Sequence, residues 1–311
     1  MNHRILITGS SGLVGAALAR ALERRGTEVV RFDLRASGSA HGDVRERGHV
    51  ARAVADVSGI VHLAAVSRVV WGERDPETCW ATNVDGTRNV LEEAERASRR
   101  PWVVFASSRE VYGQPEVLPA TEDSPLRPVN IYGRSKVEGE RLIDAARGKG
   151  LRACTIRLSN VFGSPADHAD RVIPAFARGA LSGGELRVEG RTHTFDFTFV
   201  DDVVRGIASL LDVLSAGAMP PAPIHFVSGR PTTLGDLAAL TIRVAGSKAT
   251  IAHAPARTYD VGHFFGDGTR ARQLLDWQPR VHLHEGLERL LRALRDEHDS
   301  SPLSDRTKEV P

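Results

Sequence analysis

Three glycines, Gly9, Gly12 and Gly15, stand at the junction of an apolar run and an amphipathic one. Arg4 to Thr8 reads as a buried strand. Leu13 to Arg25 places Leu13, Ala17 and Ala21 beside Val14, Leu18 and Leu22 at helical spacing, and Gly26 supplies a stop. A strand, a glycine turn and a helix in that order restrict the fold sharply. The turn is tight, no side chain blocks its backbone, and the helix offers free N–H groups and a positive dipole end to an anion. The spacing is G-x-x-G-x-x-G, one step from the G-x-G-x-x-G pattern that serves the same purpose. Gly9, Ser11, Gly12, Leu13, Val14 and Gly15 are therefore expected to cradle a pyrophosphate.

The next strand, Glu28 to Phe32, ends at Asp33, about 20 residues beyond the loop. A carboxylate there accepts hydrogen bonds from the adenosine ribose hydroxyls and repels a 2′-phosphate. NAD is favoured over NADP, with Arg35 pulling the other way. Further strands are expected at Gly59–Ala65, Trp102–Ser107, Arg152–Leu158 and Ile224–Val227, with helices near Asn83–Ala97 and Ile131–Ala146. Alternating β and α units predict an α/β fold: a Rossmann-type, doubly wound parallel sheet with helices on both faces. Beyond about Gly163, prolines and glycines break the pattern into shorter elements. Residues 1–162 are expected to form the dinucleotide-binding domain, with 196–230 returning to it, and 163–311 a smaller α/β substrate-binding part. Pro220 to Pro223 reads as a surface loop, and the polar end from about Ser300 as a disordered tail.

Composition narrows the function classes. With 41 Lys and Arg against 39 Asp and Glu, the net charge of +2 excludes a dedicated nucleic-acid binder. The two cysteines, Cys79 and Cys154, form neither a disulfide framework nor a zinc motif, which points to a reducing compartment. No membrane span or secretory leader is readable, so a cytoplasmic location is expected. His282 and His284 alternate on what reads as an edge strand without a third ligand, so no metal site is expected. His62 is expected in the core or against the cofactor. Tyr112, Cys79 and Cys154 are read as packing, and Trp71 and Trp80 as flanking a loop over the site.

Eight motifs occur in order: Thr8-Gly9-Ser10-Ser11-Gly12-Leu13-Val14-Gly15, Gly42-Asp43-Val44, His62-Leu63-Ala64-Ala65, Asn83-Val84-Asp85-Gly86-Thr87, Ser107-Ser108-Arg109-Glu110-Val111-Tyr112-Gly113, Tyr132-Gly133-Arg134-Ser135-Lys136, Arg157-Leu158-Ser159-Asn160-Val161-Phe162-Gly163 and Phe197-Thr198-Phe199-Val200-Asp201-Asp202. From about Ile5 to about Leu291 the chain resembles the extended short-chain dehydrogenase/reductases of the NAD-dependent epimerase/dehydratase family. The resemblance implies that Asp43 and Val44 meet the adenine, that Leu63, Ala64 and Ala65 line the cofactor cleft, and that Asn83 and Ser107 stand on the cofactor side. It implies a nucleotide-sugar substrate, UDP being the favoured carrier, held by Asn160, by Val172-Ile173-Pro174 and by Arg257. A second arginine normally precedes the Asp-Phe-Thr segment. Phe195 stands there, and Arg191 is the residue expected to reach in instead. A C2 homodimer formed through the two helices at Asn83–Ala97 and Ile131–Ala146 is also implied.

Tyr132 and Lys136 are four apart on a predicted helix and share a face. A free tyrosine titrates near ~10. A nearby ammonium and an oxidised nicotinamide both favour the phenolate. Lys136 would also hold the nicotinamide ribose, and Ser108 would orient the sugar hydroxyl that Tyr132 deprotonates. Glu110 offers a base beside the resulting ketone, as in the family's dehydratases and decarboxylases. The acid that dehydratases carry before it is replaced by Arg109, which cannot donate a proton usefully and can instead bind a substrate carboxylate or pair with Glu110. The first reading is thus a 4-epimerase, the second a lyase using Glu110, and the third a non-catalytic dinucleotide sensor, against which the presence of both Tyr132 and Lys136 speaks.

Overall fold

The computed structural model describes residues 4–300; the expected tail falls almost entirely outside them. The N-terminal half runs β1 (Arg4–Thr8), α1 (Leu13–Arg24), β2 (Glu28–Phe32), α2 (Arg47–Val54), β3 (Gly59–His62), α3 (Val69–Arg74), α4 (Pro76–Trp80), α5 (Gly86–Arg96), β4 (Trp102–Ser108), α6 (Ile131–Gly148) and β5 (Ala153–Leu158). The rest follows as β6 (Asn160–Phe162), α7 (Val172–Leu181), β7 (Glu185–Glu189), β8 (Thr194–Phe199), α8 (Val200–Ser215), β9 (Ile224–Phe226), β10 (Pro231–Thr233), α9 (Leu234–Ala245), β11 (Thr250–Ala254), α10 (Thr269–Leu275) and α11 (Leu283–Ser300). Six strands form one sheet in the order β2-β1-β3-β4-β5-β9, every neighbouring pair parallel. β10, β8 and β6 form a second, small sheet, and β11 pairs with β7.

The large sheet is buried on both faces, as a parallel sheet with crossover helices must be. Side chains alternate across it. Ile5 and Ile7 of β1 join a core with α1, α8 and the C-terminal elements. Leu6, between them, joins a second core with Val50 and Val54 of α2, Val90 and Leu91 of α5, and Ile143 of α6. Strand order reverses beside β1, and the loops after β1, β3, β4 and β5 gather at one edge of the sheet. That is where a crevice opens in a doubly wound fold.

Three sequence expectations change. The strand at Gly59 stops at His62: the Leu63 N–H still reaches the Thr8 carbonyl at 3.1 Å, but the Ala64 N–H turns to the Thr8 hydroxyl at 3.2 Å. The helix expected from Asn83 begins at Gly86, after a wider turn at Ala81–Asp85. His282 precedes and His284 lies within α11, not on a strand. The apolar residues Leu287, Leu290, Leu291 and Leu294 recur at helical spacing and outweigh a two-residue alternation. Among the described residues no cluster suited to a metal ion occurs, and no helix is long and apolar enough to cross a membrane.

His62 is fully buried, its ring nitrogens 2.7 Å from Thr8 Oγ1 and 3.0 Å from Thr87 Oγ1. Burial lowers its pKa from 6.5 to about 3, and burial lowers that of His225 to about 4. The unfolded chain therefore binds more protons than the folded one below pH 6.5. Stability from these groups is complete above that pH and declines as pH falls toward 4, by about 1.4 kcal/mol per unit for each histidine. Denaturant titrations at pH 7.5 and pH 5 check this. The His62→Gln variant should lose less stability on acidification than wild type; an equal loss contradicts the assignment.

Candidate active site

Gly9 adopts a φ of +70°, and a Cβ there would lie 2.7 Å from the Ala64 nitrogen. A Cβ on Gly15 would collide with the Gly9 carbonyl oxygen, so helix and turn approach closely only with glycine at both positions. α1 starts at Gly12 without a side-chain cap, leaving its first N–H groups to a ligand. Asp33 fixes the loop from across it, accepting from the Ser11 and Arg35 N–H groups at 2.9 and 2.8 Å. Its oxygens retain lone pairs for ribose hydroxyls. These residues fit a dinucleotide. The loop would hold the pyrophosphate and Asp33 the adenosine ribose.

One cavity of about 600 Å³ runs from this loop to the tips of β4 and β5. Gly9, Gly12, Leu13, Val14, Gly15, Leu63 and Ala65 line its cofactor end. Asp43 and Val44 stand outside that lining. The Asp43 carboxyl is held below its ordinary range by Arg45, and the Val44 carbonyl accepts from Asn89 at 2.9 Å. Asn83 is 1 % exposed and acts as a clasp. Its amide bonds both polar groups of the Val66 backbone, at 2.8 and 3.1 Å, and the Ser135 hydroxyl at 2.9 Å, tying the loop after β3 to α6.

Ser108, Tyr132 and Lys136 all line the cavity. α6 begins at Asn130, whose side chain caps the Gly133 N–H at 2.7 Å. Tyr132 follows in the first turn, and Lys136 lies one turn on. The Lys136 ammonium donates to the Ala106 carbonyl at 2.8 Å, and burial lowers its pKa to about 8. Burial likewise outweighs every charge at Tyr132 and raises the phenol to about 12; the Ser108 hydroxyl and then the Arg171 guanidinium pull it down. The sequence places the Lys136 ammonium near the phenol. Its ammonium lies 5.9 Å from the Tyr132 ring centroid while it bonds the β4 backbone.

Ser107 and Ser108, adjacent on β4, serve different purposes because a strand sends neighbours to opposite sides. The Ser107 hydroxyl donates to Glu140, and the residue borders the cavity. Glu140 lies one turn beyond Lys136 and forms a buried pair with Arg157, the Arg157 Nη2–Glu140 Oε2 distance being 2.6 Å. A 132, 136, 140 spacing on one helix face was the available signal for Glu140.

At the end away from the glycine loop, Asn160, Val172 and Arg257 line the cavity. Arg257 pairs with Asp260 at 2.8 Å and Glu189 at 3.4 Å. Arg191 does not line it. Its aliphatic stem lies against Gly235 at the start of α9, and its carbonyl accepts from the Gly235 N–H at 3.0 Å. Phe195 does line the cavity, and Arg109 lies over its ring with a 4.5 Å separation. Glu110 is committed on both oxygens: Oε1 to Arg109 at 2.8 Å and Oε2 to the Asn130 amide at 2.8 Å. Ser67, Arg68, Asp167 and Arg171 also line the wall, unanticipated from sequence. The position of Arg171 directly before Val172-Ile173-Pro174 was the only hint. Trp71 packs edge-on against His168 at 4.7 Å, outside the lining.

The profile of the NAD dependent epimerase/dehydratase family matches residues 5–222. A UDP-glucose 4-epimerase of Mycolicibacterium smegmatis is 30 % identical over 94 % of this chain and 99 % of its own length. UDP-glucuronic acid decarboxylase 1 of Danio rerio is 31 % identical over 93 % of this chain and 72 % of its own. The structure of MoeE5 in complex with UDP-glucose and NAD is similar at a TM-score of 0.87 and 27 % identity, covering 95 % of this chain and 99 % of that one. MoeE5 has also been solved with UDP-glucuronic acid and NAD.

Proposed function

Because this chain belongs to the NAD-dependent epimerase/dehydratase family, we propose that its activity is the 4-epimerisation of a nucleotide sugar, UDP being the carrier. NAD, held at the glycine turn and Asp33, would supply the acceptor and later the donor of a hydride. The residues of the chain do the rest. Ser108 holds the sugar hydroxyl, Tyr132 Oη takes its proton, and Lys136 orients the nicotinamide ribose while its charge favours the phenolate. Turning the 4-keto sugar over exposes its other face before the proton returns from Tyr132. The homodimer expectation belongs to this reading, with α5 and α6 as the helices that would pair.

The observation that carries the epimerase reading over a lyase is the state of Glu110. Its two oxygens are anchored, one by Arg109 and one by the Asn130 amide, which fixes the carboxylate's orientation; each keeps a further lone pair, so these contacts disfavour removal of a C5 proton without forbidding it. The preceding residue, Arg109, cannot protonate a departing hydroxyl. What favours the lyase reading is that Glu110 lines the cavity beside Ser108, and that decarboxylases are among the relatives. Incubation of the NAD-loaded protein with UDP-glucose and with UDP-glucuronic acid separates them. A product of unchanged mass and inverted C4 proton coupling is expected. Loss of water or carbon dioxide, abolished by Glu110→Gln, would establish the lyase.

A further inference from the structure

We infer that Arg109 grips an anionic oxygen on the sugar side of the bound nucleotide sugar, with Phe195 as its platform. The inference rests on the proposed nucleotide-sugar reading and extends it to a residue that recognises substrate. Arg109 directly follows Ser108 and lines the same cavity, yet it is only 9 % exposed. Its guanidinium is fixed on three sides. Nη2 lies 2.8 Å from Glu110 Oε1, the Phe195 ring lies 4.5 Å beneath its carbon, and the Phe264 ring lies 5.9 Å away. The fork cannot swing out to water without breaking these contacts.

Its Nη1 is buried and has no hydrogen-bond partner. An unmet donor on a buried charge is costly, and such atoms are scarce in folded proteins. Five side-chain atoms of this kind occur among the described residues, and three of them, on Arg109, Asp167 and Arg171, belong to residues lining this one cavity. The unmet polar capacity is concentrated where a ligand binds. Of the other cations in the lining, Arg257 is shared between two carboxylates, Arg68 is paired with Asp170 and Arg187 with Glu189; Arg171, whose Nε is unmet in the same way, is paired with Asp167 at 3.5 Å. Arg109 has a single carboxylate, and that group is itself shared with Asn130.

A guanidinium with one nitrogen engaged and another unmet matches an anionic oxygen in a charge-assisted hydrogen bond. A nucleotide sugar offers that chemistry in two places, the phosphate next to the sugar and a carboxylate on the sugar ring. Calorimetric titration of the NAD-loaded protein with UDP, UDP-glucose and UDP-glucuronic acid distinguishes them. Arg109→Met keeps the apolar stem and removes the charge. It is expected to weaken binding about 10- to 100-fold, with Arg109→Lys recovering part of the loss. Equal weakening for all three ligands assigns the phosphate. Weakening confined to UDP-glucuronic acid assigns the carboxylate. Affinities for all three within about twofold of wild type overturn the inference. Should Arg109→Met fail to fold, Phe195→Leu removes the platform alone, and the same weakening is expected; unchanged affinity again overturns it. Turnover plays no part in this readout. A wild-type protein that binds in an Arg109-dependent way but converts neither sugar refutes the epimerase reading and leaves the inference standing.

Discussion

Tyr132→Phe should lower turnover about 100- to 10,000-fold while nucleotide-sugar binding stays within a few-fold of wild type. The ring remains, so the packing remains, and only the group that exchanges a proton with the sugar is lost. The pH profile carries the sharper test. Lys136 and Tyr132 have pKa values of about 8 and about 12, an order in which the ammonium loses its proton before the phenol does. The active form, phenolate beside ammonium, is then a fixed minority of the singly deprotonated pair. Activity should rise about tenfold per pH unit below about 8 and level off above it. Lys136→Met should abolish that limb and move the rise toward the phenol's own range. Retention of more than about a tenth of wild-type turnover by Tyr132→Phe, measured with saturating sugar and NAD, contradicts the mechanism.

The largest stability effect is expected from Arg157→Met. Arg157 binds both Glu140 oxygens, through Nε at 2.9 Å and Nη2 at 2.6 Å, and its Nη1 donates to the Tyr112 hydroxyl at 2.7 Å and the Glu122 carbonyl at 2.6 Å. The two side chains are 5 and 7 % exposed. Removing the cation leaves Glu140 as a buried charge without its partner, at a cost of about 3–5 kcal/mol. Replacing both, as Arg157→Met with Glu140→Leu, removes the stranded charge and should restore most of the loss. Denaturant unfolding of the two single variants and the double measures the coupling. An Arg157→Met loss below about 1 kcal/mol would show that the pair contributes little. The pair joins β5 to α6, and Ser107 joins the same carboxylate from β4. The network therefore bears on where Ser108 and Tyr132 stand relative to each other.

Much of the site was legible because its parts are local. The glycine turn, Asp33 at the end of β2, and the Tyr132–Lys136 spacing each depend on a few consecutive residues whose backbone geometry follows from their types. Arg191 shows the limit. It is the nearest arginine in sequence to Phe195, but the turn it occupies directs it along α9, and Arg109, 86 positions from Phe195 in the numbering, comes to lie on that ring. Glu110 shows it differently. Its type suits a base, and only its contacts with Arg109 and Asn130 reveal that both oxygens are engaged.

Sequence alone determined the order of strands and helices, the glycine turn before α1 and the placing of Tyr132 and Lys136 on one helix face, since apolar period, glycine freedom and i,i+4 spacing act over one or two turns of chain. Tertiary structure decided the electrostatics: a phenol raised by burial, a lysine turned onto the β4 backbone, and an arginine stacked on Phe195. These follow from which distant side chains exclude water around a charge, and that is set only when the sheet and its C-terminal partner close over the cavity.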